Sequence, residues 1–489
     1  MRHTDRSTSP AQACALTVTL MLLLAAAAGC TVGPNFRPPQ PQVPPAWSGP
    51  MAAEAGAQDL VHWWTMFNDP ALTSLVDRAV KSNLDLKQAE ARIRQARAAR
   101  GVAAAGLWPA VSASGSYTRS RTPVDTPKGT KGVISDLYRD GLDASWEIDI
   151  FGGIRRGVEA ADADIQAAVE DRRDVLVTLV AEVALNYIDL RAFQQRIAIA
   201  QENLKAQKDS AELTRKRKMA GFVGSLDVAN AEALVATTAS TIPQLEASAQ
   251  QTIYSLSVLL GEPPGALLAE LSPSSDIPAA PPAPPAGVPS ELLRRRPDIR
   301  RAEAQIHSAT ARIGVATADL FPKFTLSGSA GFTGSHSNDL LDWAHRFWSV
   351  GPSASWQLFS GGSTVSTIEA QKALQEQSLL TYRQTVLTAL QDVENALIAS
   401  AREAEHRKAL IDAVAANRKA VDYATQLYVN GQTDFLSVLD AQRSLFATED
   451  ALVQSTGVVS TDLVALYKAL GGGWDDGPEM PRESVAPSQ

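Results

Sequence analysis

The chain has 489 residues, 45 basic and 53 acidic, with a formal net charge of −8, long enough for several ordinary domains or one large elongated one. Apart from Arg294-Arg295-Arg296 no basic block stands out, which argues against nucleic acid as a partner. Aromatic content is low at 6%, while Ala, Gln, Leu, Glu and Arg dominate long stretches, the composition of extended helix and coiled coil.

Residues 1–29 read as an export signal: Arg2 and Arg6 supply positive charge, Ala15 to Ala28 is apolar, and small residues run up to Cys30. The segment is too short and wrongly flanked for a membrane span. Ala27-Ala28-Gly29-Cys30 resembles a bacterial lipoprotein processing site, with Ala27 where Leu is preferred, and marks Cys30 for lipidation. The alternative is an ordinary small-residue cleavage site with an incidental thiol. Cys14 leaves with the signal, so the mature chain has no pair of cysteines for an intrachain disulfide, although the compartment is oxidising. Thr31, where Asp is absent, is compatible with sorting to the outer membrane. Residues 30–60 then form a lipid-anchored, proline-rich segment, and Pro34 to Pro50 is expected as an extended tether rather than a folded element. No later stretch approaches 18 consecutive apolar residues, so a membrane crossing would have to be a β-barrel.

The remainder repeats. Asn83-Leu84-Asp85-Leu86-Lys87-Gln88-Ala89-Glu90-Ala91 returns as Arg296-Pro297-Asp298-Ile299-Arg300-Arg301-Ala302-Glu303-Ala304, and the match continues through Gly101 and Gly314 to Pro109 and Pro322. Gly141 to Trp146 matches Gly351 to Trp356, Gly221 matches Gly431, and Leu260-Gly261 matches Leu470-Gly471. The offset falls from about 213 to about 210, an indel in the strand region, and it far exceeds a solenoid period. The spacing predicts a first repeat over 61–270, a proline-rich linker over 271–290, a second repeat over 291–473 and a tail over 474–489.

Each copy switches periodicity twice. A helical stretch ends at Pro109 or Pro322. Alternating residues follow, predicting β-hairpins over about 110–150 and 323–359: Leu142, Ala144, Trp146 and Ile148 alternate with Asp143, Ser145, Glu147 and Asp149, and Phe324, Leu326, Gly328, Ala330 and Phe332 with Thr325, Ser327, Ser329 and Thr333. Beyond Gly152-Gly153 and Gly361-Gly362 come long helices, about 154–220 and 363–430, each about 100 Å at 1.5 Å per residue. Glycine at 221 or 431 breaks each run before a return helix, about 226–260 or 434–471. The aliphatic stripe Leu176, Val180, Val183, Tyr187 and Leu190 reads as the seam of a helix bundle.

Four strands cannot close a membrane barrel, which needs about eight. Their alternation, with Tyr117, Trp146, Trp348 and Trp356 as membrane-interface aromatics, fits a lipid-facing wall with a wet interior. The strands must then be pooled by an oligomer; a soluble two-layer sheet under helices is the competing reading. The fold class expected is an α+β membrane protein. No phosphate-binding loop, paired-histidine zinc spacing or nucleophile motif occurs, and no cofactor, metal site or enzymatic role is expected.

Val32-Gly33-Pro34-Asn35-Phe36-Arg37-Pro38-Pro39, Trp63-Trp64 with Phe67, Asp69-Pro70 and Leu72, and Asn83-Leu84-Asp85 resemble the N-terminal region of OprM/NodT-type members of the TolC-like outer-membrane factors. Phe435-Leu436-Ser437-Val438-Leu439-Asp440-Ala441-Gln442-Arg443-Ser444-Leu445 and Leu466-Tyr467-Lys468-Ala469-Leu470-Gly471-Gly472-Gly473-Trp474 resemble that family's most recognisable stretch. The resemblance implies a homotrimer whose chains give four strands each to a twelve-stranded barrel, continued by a periplasmic helical barrel. It implies an efflux channel subunit served by a periplasmic adaptor and an inner-membrane pump of RND type, with outer-membrane lipid as surroundings. A type I protein-secretion channel and a lipid-anchored coiled-coil adaptor are the alternatives. By motif position Leu436 and Asp440 would constrict a periplasmic gate, with Leu226 and Asn230 as their first-copy counterparts; Arg443 could pair with a carboxylate to hold it closed, and the turns at Gly221 and Gly431 would dock the adaptor.

Overall fold

Proline and glycine divide the chain into helices and strands whose order recurs. The computed structural model describes residues 31–48, 60–126, 129–281, 287 and 289–475; the expected signal, Cys30 and the tail beyond 475 lie outside the described residues. The main elements are α1 (Pro70–Ser82), α2 (Leu84–Ala105), β1 (Ala110–Thr126), β2 (Gly129–Ile148), α3 (Gly153–Met219), α4 (Ser225–Leu259), α5 (Leu268–Leu271), α6 (Pro289–Arg295), α7 (Pro297–Ala318), β3 (Lys323–Gly334), β4 (Arg346–Ser355), α8 (Ser363–Val429) and α9 (Phe435–Ala469). α3 and α8 are each 67 residues long, α4 and α9 each 35. None of the described helices is long and apolar enough to cross a membrane.

The chain forms two compact units. One holds residues up to Gln40, Arg92–Ala168 and Arg301–Tyr382. Its centre is a single antiparallel sheet in the order β1-β2-β3-β4, so the two hairpins lie side by side through β2 and β3. Tyr138 faces Tyr117 across one ladder and Gly334 across the next, and Lys323 faces Ser355. The outer edges of β1 and β4 pair with no described strand.

The segment following residue 30 has no regular secondary structure, as its prolines dictate, yet it is fastened rather than free. Val32 N donates to Phe151 O at 3.1 Å. The Arg156 guanidinium donates to Val32 O and to Asn35 Oδ1, at 3.2 and 2.6 Å, and Phe36 stacks on His307 at 4.4 Å. Gly33 (φ +90°) meets Gly314 so closely that a Cβ would lie 2.5 Å from the Gly314 Cα. A tether reading from composition could not see these partners, which lie more than a hundred residues away.

The other unit holds Pro41–Ala91, Val169–Arg300 and residues from Arg383. Its core buries Trp63 and Phe67 of a short 3-10 helix, Leu72, Leu75 and Val76 of α1, Val183, Tyr187 and Leu190 of α3, and Leu463, Val464 and Tyr467 of α9. Trp63 stacks on Tyr467 at 5.1 Å. Asp69 explains the Asp-Pro pair: its Oδ1 caps α1 by accepting from Ala71 N and Leu72 N, Pro70 occupies the first turn, and its Oδ2 accepts from the Tyr187 hydroxyl at 2.8 Å.

Burial, which disfavours a phenolate, pushes Tyr187 and Tyr467 up to about 12. In the unfolded chain tyrosine ionises near 10, so the fold holds these protons more tightly. Their stabilisation is complete below about pH 10 and is lost as pH rises through 12, up to about 3 kcal/mol per group. The thermal midpoint of the helical circular-dichroism signal should therefore fall between about pH 9.5 and 11.5, and the Tyr187→Phe, Tyr467→Phe double variant should show a shallower fall; an equal fall would refute the assignment.

Candidate functional site

Side chains that share a ladder position share a face, so the register sorts the sheet. One face carries Val111 and Ala113 of β1, Leu142, Ala144, Trp146 and Ile148 of β2, Phe324, Leu326 and Ala330 of β3, and Trp348 and Val350 of β4. Several are well exposed, among them Val111, Leu142, Trp348 and Val350. The opposite face is hydroxylic: Ser112, Ser114, Ser116, Thr118 and Ser120 on β1, Ser145 on β2, Thr325, Ser327 and Ser329 on β3, Ser349 and Ser353 on β4.

Of the four aromatics singled out from the sequence, Tyr117, Trp146 and Trp348 belong to the apolar side and Trp356 follows the end of β4, with different partners. Trp146 and Trp356 each donate their indole N–H at 3.0 Å to the carbonyl oxygen of Leu107 or Leu320, where a helix hands over to a strand. Tyr117 packs on Tyr138 at 4.7 Å and donates to Asp136 Oδ1. Trp348 lies level with Leu142 through Ala330, midway between the levels of Trp146 and Tyr138.

The two glycine turns end the long helices in the same way. Gly221 and Gly431 have φ of +80° and +70°, the left-handed conformation that glycine adopts without a Cβ penalty. Phe222 N bonds back to Arg217 O and Gln432 N to Leu427 O, each at 2.9 Å. α9 then starts at Asp434, whose Oδ1 accepts from Ser437 N. Phe435, Val438 and Leu439 pack with Tyr428, Ala211, Ala231 and Leu234, which turns the stripe Leu436, Asp440 and Arg443 outward.

Leu436 is 52% exposed and Leu226 71%; Asp440 and Arg443 are exposed and Asn230 is half-buried. Leu226 and Asn230 repeat the four-residue spacing of Leu436 and Asp440 on α4. The pairing that Arg443 could make with a carboxylate is not made within the chain: both Arg443 and Asp440 are exposed, off the packed side of α9, and among the described residues neither has an ion-pair partner. Among the described residues no group of histidine, cysteine and carboxylate side chains is placed to hold a metal ion.

The outer membrane efflux protein family matches over residues 75–262 and 288–472. The chain belongs to this family. Nodulation protein T of Rhizobium leguminosarum bv. trifolii is 35% identical over 91% of this chain and 95% of its own length. The pyoverdine export outer membrane protein OpmQ of Pseudomonas aeruginosa is 34% identical, over 88% and 91%. The fold superposes on the solved outer-membrane channel OprN with a TM-score of 0.84 at 39% identity, covering 91% of this chain and 100% of that one.

Within this member of the family, sequence reasoning passed over Arg217. Its Nη1 donates to Tyr428 O at 2.6 Å and Val429 O at 3.0 Å, and its guanidinium lies 4.6 Å from the Tyr428 ring. It thus caps the carbonyl end of α8 from the other repeat's turn, a favourable place for a cation. The signal was available, since the repeat offset places Leu427 opposite Arg217, a departure from symmetry like that of Asp440 and Asn230. Arg217→Met should speed amide hydrogen exchange in the last turn of α8 by roughly fivefold to thirtyfold, corresponding to about 1–2 kcal/mol; unchanged exchange would show that the cap contributes nothing.

Proposed function

We propose that the chain is one of three identical subunits of an outer-membrane efflux channel, giving toxic small molecules a passive route from the periplasm to the exterior. The observation that carries this reading is the sheet: an exposed apolar face, a hydroxylic face and two edges that pair with no described strand. Apolar-out, polar-in alternation is what a barrel wall in lipid requires. From Trp146 to Tyr138 this face runs eight residues along β2, apolar except for Asp140, about 27 Å of strand, or roughly 20 Å of height at a tilt of about 40°, somewhat less than the roughly 25 Å apolar band of such barrels. Three copies bring twelve strands, enough to close. The equal lengths of α3 and α8, and of α4 and α9, support descent of the two halves from one duplicated unit.

The family and its outer-membrane relatives support the location and the efflux role. The partners are a periplasmic adaptor and an inner-membrane pump, of RND type in this reading, with the turns at Gly221 and Gly431 offered to the adaptor and the acyl group at Cys30 anchoring the chain. A nodulation protein and a pyoverdine exporter lie at almost equal identity, which supports assigning substrate choice to the pump rather than the channel. No catalytic step belongs to this role.

The gate lies at the tip turns. Three copies of Leu436 form an apolar constriction and three of Asp440 an anionic ring. Like charges brought together repel, so the resting tip needs compensating contacts between copies, and the outward-facing Arg443 side chains are placed to supply them. Asp440→Ala should raise the resting conductance of purified channels in planar bilayers by roughly twofold or more; a conductance equal to wild type would remove Asp440 from the gate.

A further inference from the structure

On the hydroxylic face of the sheet one patch breaks the pattern. Gly141 and Gly331 stand opposite each other on β2 and β3, and Phe347 stands opposite Gly331 on β4. The Phe347 ring reaches over this bare strip: a Cβ at Gly141 would meet its Cζ at 3.3 Å. At Gly331 a Cβ would run into the Asp140 carbonyl oxygen, so the strip must stay bare. The Arg139 guanidinium lies over the Phe347 ring, 4.4 Å from its centroid, a cation–π contact that holds a long, flexible side chain in place.

Arg139 has no ion-pair partner among the described residues. Asp136 and Asp140 belong to the other face, and Asp143, the nearest carboxylate along β2 on this one, is four residues away, about 13 Å of strand. Its neighbours across the ladders are Ser116 and Thr333. Lys323, the cation at the foot of the same face, is already paired with Asp319 at 2.9 Å.

We propose that Arg139, laid on Phe347 over Gly141 and Gly331, forms a cationic collar in the channel lumen that binds organic anions in transit. The proposal rests on the reading of the hydroxylic face as the wet interior of a three-chain barrel. Three guanidinium groups then face one water-filled cross-section, beside Ser116 and Thr333 and the bare Gly141–Gly331 strip, where their fields add and no carboxylate at that level cancels them. The collar complements the anionic ring at the tip: it favours solutes of the opposite sign.

The test uses the full-length protein in planar bilayers, with 2-naphthalenesulfonate as the probe and neutral 2-naphthol as its uncharged match. The sulfonate should reduce the wild-type current and 2-naphthol should not. Arg139→Gln should weaken the sulfonate block roughly threefold to tenfold, the range of one exposed charge contact up to a somewhat stronger one. Arg139→Lys should keep part of it, and Phe347→Ala should weaken it by freeing the guanidinium. No block in wild type, or equal block in wild type and Arg139→Gln, overturns the collar. Ser114→Cys and Ser329→Cys separate this from the underlying reading: a charged, water-soluble thiol reagent should modify both and lower the current. If it modifies neither, the hydroxylic face is not the lumen, and the barrel reading falls together with the collar.

Discussion

In hydrocarbon every backbone N–H and C=O must find a partner within the protein, because no water is there to take its place. The chain meets this demand along the ladders between its four strands, and among the described residues no strand meets it along the outer edges of β1 and β4. A soluble protein can leave an edge to water or blunt it with charge. A sheet with exposed Leu142, Trp348 and Val350 on one side has no such recourse once that side meets lipid. Closure between copies would satisfy both edges at once, as the proposed barrel requires.

Several contacts recur in the two halves of the chain, and the positions where the halves differ stand out against them. Trp146 and Trp356 make the same indole-to-carbonyl bond at the same helix-to-strand corner, and Gly221 and Gly431 end the long helices alike. Against this background Asp440 faces Asn230 as its counterpart, and Arg217 faces Leu427. The Arg217 guanidinium reaches from the end of α3 to the carbonyl end of α8, and the Tyr428 hydroxyl and Gln442 amide reach back to Thr214 and Ser210. The two turns are therefore tied to each other within a chain, while Leu436, Asp440 and Arg443 remain exposed.

The elements and their order were legible because their signals are local: period-two alternation over Leu142 to Ile148, proline at 109 and 322, glycine at 221 and 431. Pro243 shows the limit of such rules, since it lies inside α4 without ending it. What stayed hidden depended on distant pairing. The level of Trp348 along the sheet requires the β3–β4 register. The fastening of Asn35 and Phe36 to Arg156 and His307 requires the tertiary fold. Asp69 was recognisable as part of a motif, but its bond to Tyr187 could not be read from spacing. The outward stripe on α9 was half legible: helical periodicity places Leu436, Asp440 and Arg443 together, and only the packing of Phe435, Val438 and Leu439 says which way the stripe turns.

The central claim is that β4 of one copy pairs with β1 of the next, and then once more around to the first. Cysteine cross-linking in isolated outer membranes tests it most directly, with Val350→Cys on β4 combined in turn with single cysteines across positions 111–117 of β1. Disulfide formation at a subset of these positions, with alternating strong and weak yields and a covalent ladder that ends at the trimer, is the predicted result. Cross-linking at none of them, or a ladder that stops at the dimer or runs on past three, would contradict the account.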